Sequence, residues 1–155
     1  MADTKTPPKR QSSGGKIWSD EERAAMREAT RERRVASRRS PAEEREAGEA
    51  DVLAKIASLD EPDRTMATRV HAIVQSVAPD LAPRTWYGSP AYYKNGSLIC
   101  YFQERAKFKA RYATLGFSDK APLDDGAVWP VVYALMELTP ADEARIAALV
   151  KKAVS

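Results

Sequence analysis

The dipeptide Asn95-Gly96 lies between two apolar-rich runs, Ala91–Lys94 and Ser97–Gln103. A two-residue connection closes a β-hairpin when both residues accept positive φ, and Asn-Gly does so with least strain. The middle of the chain is therefore expected to be antiparallel sheet, and the remaining segments must cover it. Lys107–Leu115 reads as a third strand, with Phe108, Ala110, Tyr112 and Thr114 on one face and Lys107, Lys109 and Arg111 on the other. Val128–Leu138 reads as a fourth, whose Pro130 places its start at an edge or a bulge.

Helix signals come before and after this sheet. Ser19 and Glu22 have capping-box spacing ahead of a charged segment whose apolar residues are mostly alanine. Such a helix has no wide stripe to bury and is expected in solvent. Ser40-Pro41 starts a second helix, in which Val52, Leu53, Ile56 and Leu59 share a face. Pro62 starts a third, with Met66, Val70, Ile73, Val74 and Val77 at helical spacing. Thr139-Pro140 caps a last one, with Ile146, Leu149, Val150 and Ala153 inward. The order of helices, meander and helix predicts an α+β fold: an antiparallel sheet of about four strands with N-terminal and C-terminal helices on one face. The expected organisation is a disordered tail over 1–18, a charged solvent-exposed helix over 19–40 and an α+β domain over 41–155.

Charge sets few limits. The chain of 155 residues holds 25 Lys and Arg against 22 Asp and Glu, a balance too even to steer it to nucleic acid by itself. Cys100 is the only cysteine, which excludes an intramolecular disulfide and a cysteine-based zinc site. No apolar run has the length of a membrane span, and the basic N-terminus lacks a hydrophobic stretch behind it, so a cytoplasmic protein without membrane contact is expected.

Tyr87-Gly88-Ser89-Pro90-Ala91-Tyr92, preceded by the helix from Arg69-Val70-His71 to Ala78-Pro79, resembles the YdhG-like family of bacterial domains. Tyr112-Ala113-Thr114-Leu115-Gly116-Phe117, Leu123-Asp124-Asp125-Gly126 and Trp129-Pro130 look like its actinobacterial-type branch, and the likeness covers roughly residues 50–155. Ser89 stands where many members have Met. The resemblance implies a frataxin-like fold and, because one branch is described as an iron chaperone, a role in iron handling. That functional step is a fold-level analogy.

Candidate chemistry is sparse. His71, the only histidine, has Ala67, Thr68, Val74 and Gln75 as helical neighbours and no evident catalytic partner among them. Gly88-Ser89-Pro90 is not a nucleophile elbow, and no phosphate-binding glycine pattern occurs. The aromatics Trp86, Tyr87, Tyr92, Tyr93, Tyr101, Phe102, Tyr112, Trp129 and Tyr133 crowd the sheet. With Lys107, Lys109 and Arg111 they suit a stacking platform, although aromatics at strand spacing are more often packing. Tyr87, Pro90, Tyr92 and Trp129 are the candidates for lining a small-ligand pocket. Asp124, Asp125, Glu43, Glu44 and Glu46 are the candidate hard-oxygen ligands for iron. Arg33, Arg34, Arg38 and Arg39 form the densest basic stretch, suited to nucleic acid or an acidic protein partner. The leading expectation is a non-catalytic binding domain, in the form of an iron chaperone; the alternative is an adaptor that uses its arginine-rich arm.

Overall fold

In a computed structural model, which describes residues 18–36 and 40–155, the chain folds as an α+β domain. Three helices come first: α1 (Asp20–Ala36), α2 (Pro41–Ala57) and α3 (Asp63–Val77). Strands β1 (Ala82–Trp86), β2 (Ser89–Lys94), β3 (Ser97–Gln103), β4 (Ala113–Phe117) and β5 (Val132–Leu135) follow, and α4 (Pro140–Ala153) closes the chain. The five strands form one antiparallel sheet in sequence order. The sheet has five strands where about four were expected. The expected tail over 1–18 lies almost wholly outside the described residues, as do Arg38 and Arg39.

The caps explain the helix starts. Ser40 Oγ accepts from Glu43 N at 3.3 Å, with Pro41 at the first position of α2. Thr139 and Asp142 complete a capping box at α4, each satisfying the other's backbone N–H. Each such cap contributes about 1 kcal/mol. Val52 and Ile56 of α2, Met66, Val70 and Val74 of α3, and Ile146 and Val150 of α4 are buried together with Tyr92, Cys100, Phe102 and Leu115 of the sheet. That row of side chains defines the face the helices cover. Leu53, expected on the buried face of α2, is exposed instead. It follows Val52 by about 100° around the helix, which carries it off the stripe.

The sheet's register carries one irregularity. Tyr92 pairs with Cys100 and Tyr93 with Leu98, leaving Ile99 as the extra residue of a bulge. Ile99 and Cys100 consequently both enter the core. On the opposite face Tyr101 lies over Gly116, where a Cβ would clash with the hydroxyl end of the phenol at 2.2 Å. Trp86 packs against the same ring, tilted by 43° with centroids 4.7 Å apart.

Two strand expectations change. Residues Arg105–Phe108 form a 3₁₀ turn and Lys109 is left-handed (φ 53°), so the third expected strand begins only at Ala113. Asp63 takes the backbone N–H of Arg105 at 2.8 Å and its Nε at 2.9 Å, which removes that segment from the ladder. The last strand shortens to Val132–Leu135. Helix α1 is not wholly in solvent, since Ala25 and Ala29 are buried.

Candidate functional site

The connection between β1 and β2 is a second two-residue hairpin, with Tyr87 at φ 48° and Gly88 at φ 78°. Positive φ at both central positions matches the right-handed twist of the flanking strands. The turn brings the chain against α1. The Gly88 N–H donates to Glu32 Oε1 at 3.2 Å. A Cβ on Gly88 would collide with the Glu28 carboxylate and stand 3.1 Å from Lys107 Nζ. The positive φ favours glycine here, and the Glu28 carboxylate takes the space its missing side chain leaves.

Lys107 enters from the 3₁₀ turn and donates to the buried Ser89 hydroxyl at 3.5 Å. Half-burial pushes the Lys107 pKa down; Glu104, Glu28 and Glu32 oppose this, while Lys55 adds to it. Behind it Lys55 pairs with the buried Glu104 at 3.2 Å. The other Glu104 oxygen and one Arg105 terminal nitrogen are buried without a hydrogen-bond partner among the described residues. A cavity of about 370 Å³, lined in part by Lys55, Asp60, Asp63, Glu104 and Arg105, adjoins them.

On the other side of Lys55 a cleft of about 420 Å³ opens between α1, α2 and β1. Glu28, Glu32, Glu44 and Asp51 line it together with Arg31, Lys55 and Arg84. Glu44 and Arg84 pair across it at 3.5 Å, and Arg31 pairs with Glu28 at 3.5 Å. Such a wall offers charge of both signs and suits a polar ligand better than an apolar one.

The residues singled out from sequence are dispersed. Tyr92 is fully buried, Pro90 is buried beside it in β2, and Tyr87 sits at the hairpin tip. Trp129 lies elsewhere, in a cavity of about 550 Å³ that it lines with Asp119, Asp124 and Phe117. The structure thus brings Trp129 to Asp124 rather than to the three residues of the hairpin. Asp125 is exposed in the same loop, and Lys152 Nζ donates to the Asp124 carbonyl at 3.0 Å. Glu43 and Glu46 are exposed on α2, while Glu44 faces the cleft. Among the described residues no three His, Cys, Asp or Glu side chains gather as a metal-binding group. Arg33 and Arg34 are exposed near the end of α1.

His71 acquires a partner that helical spacing does not reveal. Its Nδ1 lies 2.8 Å from the Tyr92 hydroxyl, inside the core. Burial lowers the His71 pKa, with Glu49 opposing, and raises that of Tyr92. Cys100, opposite Tyr92, is fully buried and its thiol is pushed up to about 12. Such a thiol is not a nucleophile at neutral pH.

Sequence reasoning did not find the cleft, because Glu28 and Glu32 come from α1, Glu44, Asp51 and Lys55 from α2, and Arg84 from β1. The readable clue was Tyr87-Gly88 as a turn, which fixes where α1 can touch the sheet. No helix among the described residues is long and apolar enough to cross a membrane. Comparison of the chain with protein-family models, with curated proteins and with solved structures gives no significant match.

Proposed function

We propose that this chain is a non-catalytic binding domain that takes a charged ligand in the cleft between α1, α2 and β1. The observation that carries the reading is the lining: four carboxylates and three cationic side chains from three elements surround about 420 Å³. The frataxin-like fold implied by the YdhG-like resemblance is the architecture we read here. Its support is the antiparallel sheet with α2, α3 and α4 contributing to one shared core.

Iron is the specific ligand class that this resemblance implies. In this reading the metal meets the cleft at Glu44, the one predicted ligand that lines it, with no second and third carboxylate gathered around it among the described residues. Arg31, Lys55 and Arg84 weaken the local field for a cation, so affinity is expected at about micromolar or weaker. Titrating Fe(II) and Fe(III) into the full chain while following backbone amides tests it. Saturable shifts at Glu44, Asp51 and Lys55, lost in Glu44→Gln, are the expected result. Their absence at millimolar metal removes iron, and their absence with citrate and phosphate as well removes the cleft.

A second reading, an adaptor for nucleic acid or an acidic protein, draws on the exposure of Arg33 on α1. It calls for salt-sensitive binding that is lost when Arg33, Arg34, Arg38 and Arg39 are replaced together.

A further inference from the structure

We propose that the β1–β2 turn is an oxyanion-binding notch, built from the Gly88 N–H, the Ser89 hydroxyl and the Lys107 ammonium, which Glu32 and Glu28 of α1 fill until a phosphate or carboxylate group displaces them. The proposal rests on the binding role of the adjoining cleft, whose wall shares both glutamates with the notch.

Three groups from two segments converge there, two on consecutive residues at the β1–β2 turn and one on the 3₁₀ turn. The Gly88 N–H points at a carboxylate oxygen at 3.2 Å, and its positive φ presents that N–H at the outside of a tight turn. Ser89 is 1% exposed, so its hydroxyl is fixed in place rather than solvated, with Lys107 Nζ at 3.5 Å. A buried hydroxyl and a half-buried ammonium are costly to desolvate, and an anion offsets that cost. Glu28 and Glu32 both favour the charged form of Lys107, as an incoming oxyanion would. The space a Gly88 side chain would fill is instead taken by the Glu28 carboxylate. The helix is therefore presenting an anion to a site made for one.

The hold of α1 on the notch is light enough to be displaced. Among the described residues its buried side chains are two alanines, Ala25 and Ala29, each contributing little apolar area. Its ion pair from Glu21 to Lys109 at 3.0 Å involves a lysine side chain that is 81% exposed. Exposed pairs of this kind are screened by solvent and hold an element only weakly. A ligand competing with the glutamates binds with an affinity reduced by the fraction of chains whose notch is open.

The test uses the full chain and two probes, inorganic phosphate and acetate, at constant ionic strength, with the Gly88 and Ser89 amide resonances as readout. Replacing the strap carboxylates, Glu28→Ala with Glu32→Ala, is expected to give saturable shifts at both amides, at least about tenfold tighter than in the native chain. Adding Lys107→Met to that pair should abolish them. A response to phosphate alone identifies a tetrahedral ligand, and a response to acetate a carboxylate; either supports the notch. The proposal is overturned if Gly88 shows no saturable shift in the strap variant, or if the shift survives Lys107→Met. Should the double replacement fail to fold, Glu32→Gln alone must still tighten phosphate or acetate binding. Shifts confined to Lys55, Arg84 and Asp51 would overturn the notch and leave the cleft standing.

Discussion

The Tyr92 hydroxyl lies 2.8 Å from Nδ1 of His71, tying β2 to α3 inside the core. A phenol held protonated by burial can donate, and an imidazole held neutral can accept. Tyr92→Phe leaves that nitrogen without its partner and should cost about 1–3 kcal/mol, read as a lower urea midpoint at unchanged slope. An unchanged midpoint would mean that the contact contributes nothing net.

The same pair predicts a pH dependence. Burial lowers the folded-state pKa of His71 below its ordinary value of 6.5. The unfolded chain then binds more protons as the pH drops past that value. The stability contributed by neutral His71 is therefore complete above about pH 7 and is lost as the pH falls through 6.5 toward the folded pKa. Urea unfolding between about pH 8 and pH 5 should show this loss. His71→Gln should flatten that part of the curve.

Gly116→Ala is expected to displace the Tyr101 ring, because the new methyl would occupy its position. Overpacking of this kind costs about 1–3 kcal/mol. Trp86 packs against the same ring, so its fluorescence should change with the substitution while remote core positions stay fixed. A silent Trp86 signal would count against that contact.

Asp63 is 3% exposed and accepts twice from Arg105. Asp63→Ala strands a guanidinium and a backbone N–H together, and should cost about 3 kcal/mol or more by loss of a buried ion-pair partner. The 3₁₀ turn that carries Lys107 should loosen with it, visible as faster hydrogen exchange over Arg105–Phe108.

Gly96 offers a cleaner case than Gly116. Its φ is 80° and nothing lies within 4 Å of where a Cβ would sit. Gly96→Val should therefore cost about 1–3 kcal/mol through backbone strain alone. Gly96→Asn should recover most of it, since Asn accepts the left-handed region more readily.

The helices and the Asn95-Gly96 hairpin were legible because their determinants are local. Ser40-Pro41, Thr139-Pro140 and Asn95-Gly96 each act within four residues. Strand β1 was missed because Pro83 reads as a breaker, yet an edge strand tolerates a residue without an N–H. The Tyr87-Gly88 turn was missed because tyrosine seldom takes positive φ. Residues 107–112 alternate basic and apolar side chains as a strand would, but Asp63, 42 residues from Arg105 in sequence, decides their backbone. Long-range polar contacts of that kind also assemble the notch, which explains why no spacing pattern announced it. Glu44 alone among the predicted iron ligands proved to face the cleft.

The strict sequence order of the strands has a kinetic meaning. Every strand hydrogen-bonds only to the one before and the one after it. Two of the connections are two-residue turns whose closure takes microseconds or less, so the sheet can grow by successive local steps. A large share of the loop-closure entropy then falls on the seating of α4 against α3, which joins segments more than 60 residues apart. A chain built this way should show its rate-limiting barrier in helix docking, with the meander already formed at the top of it.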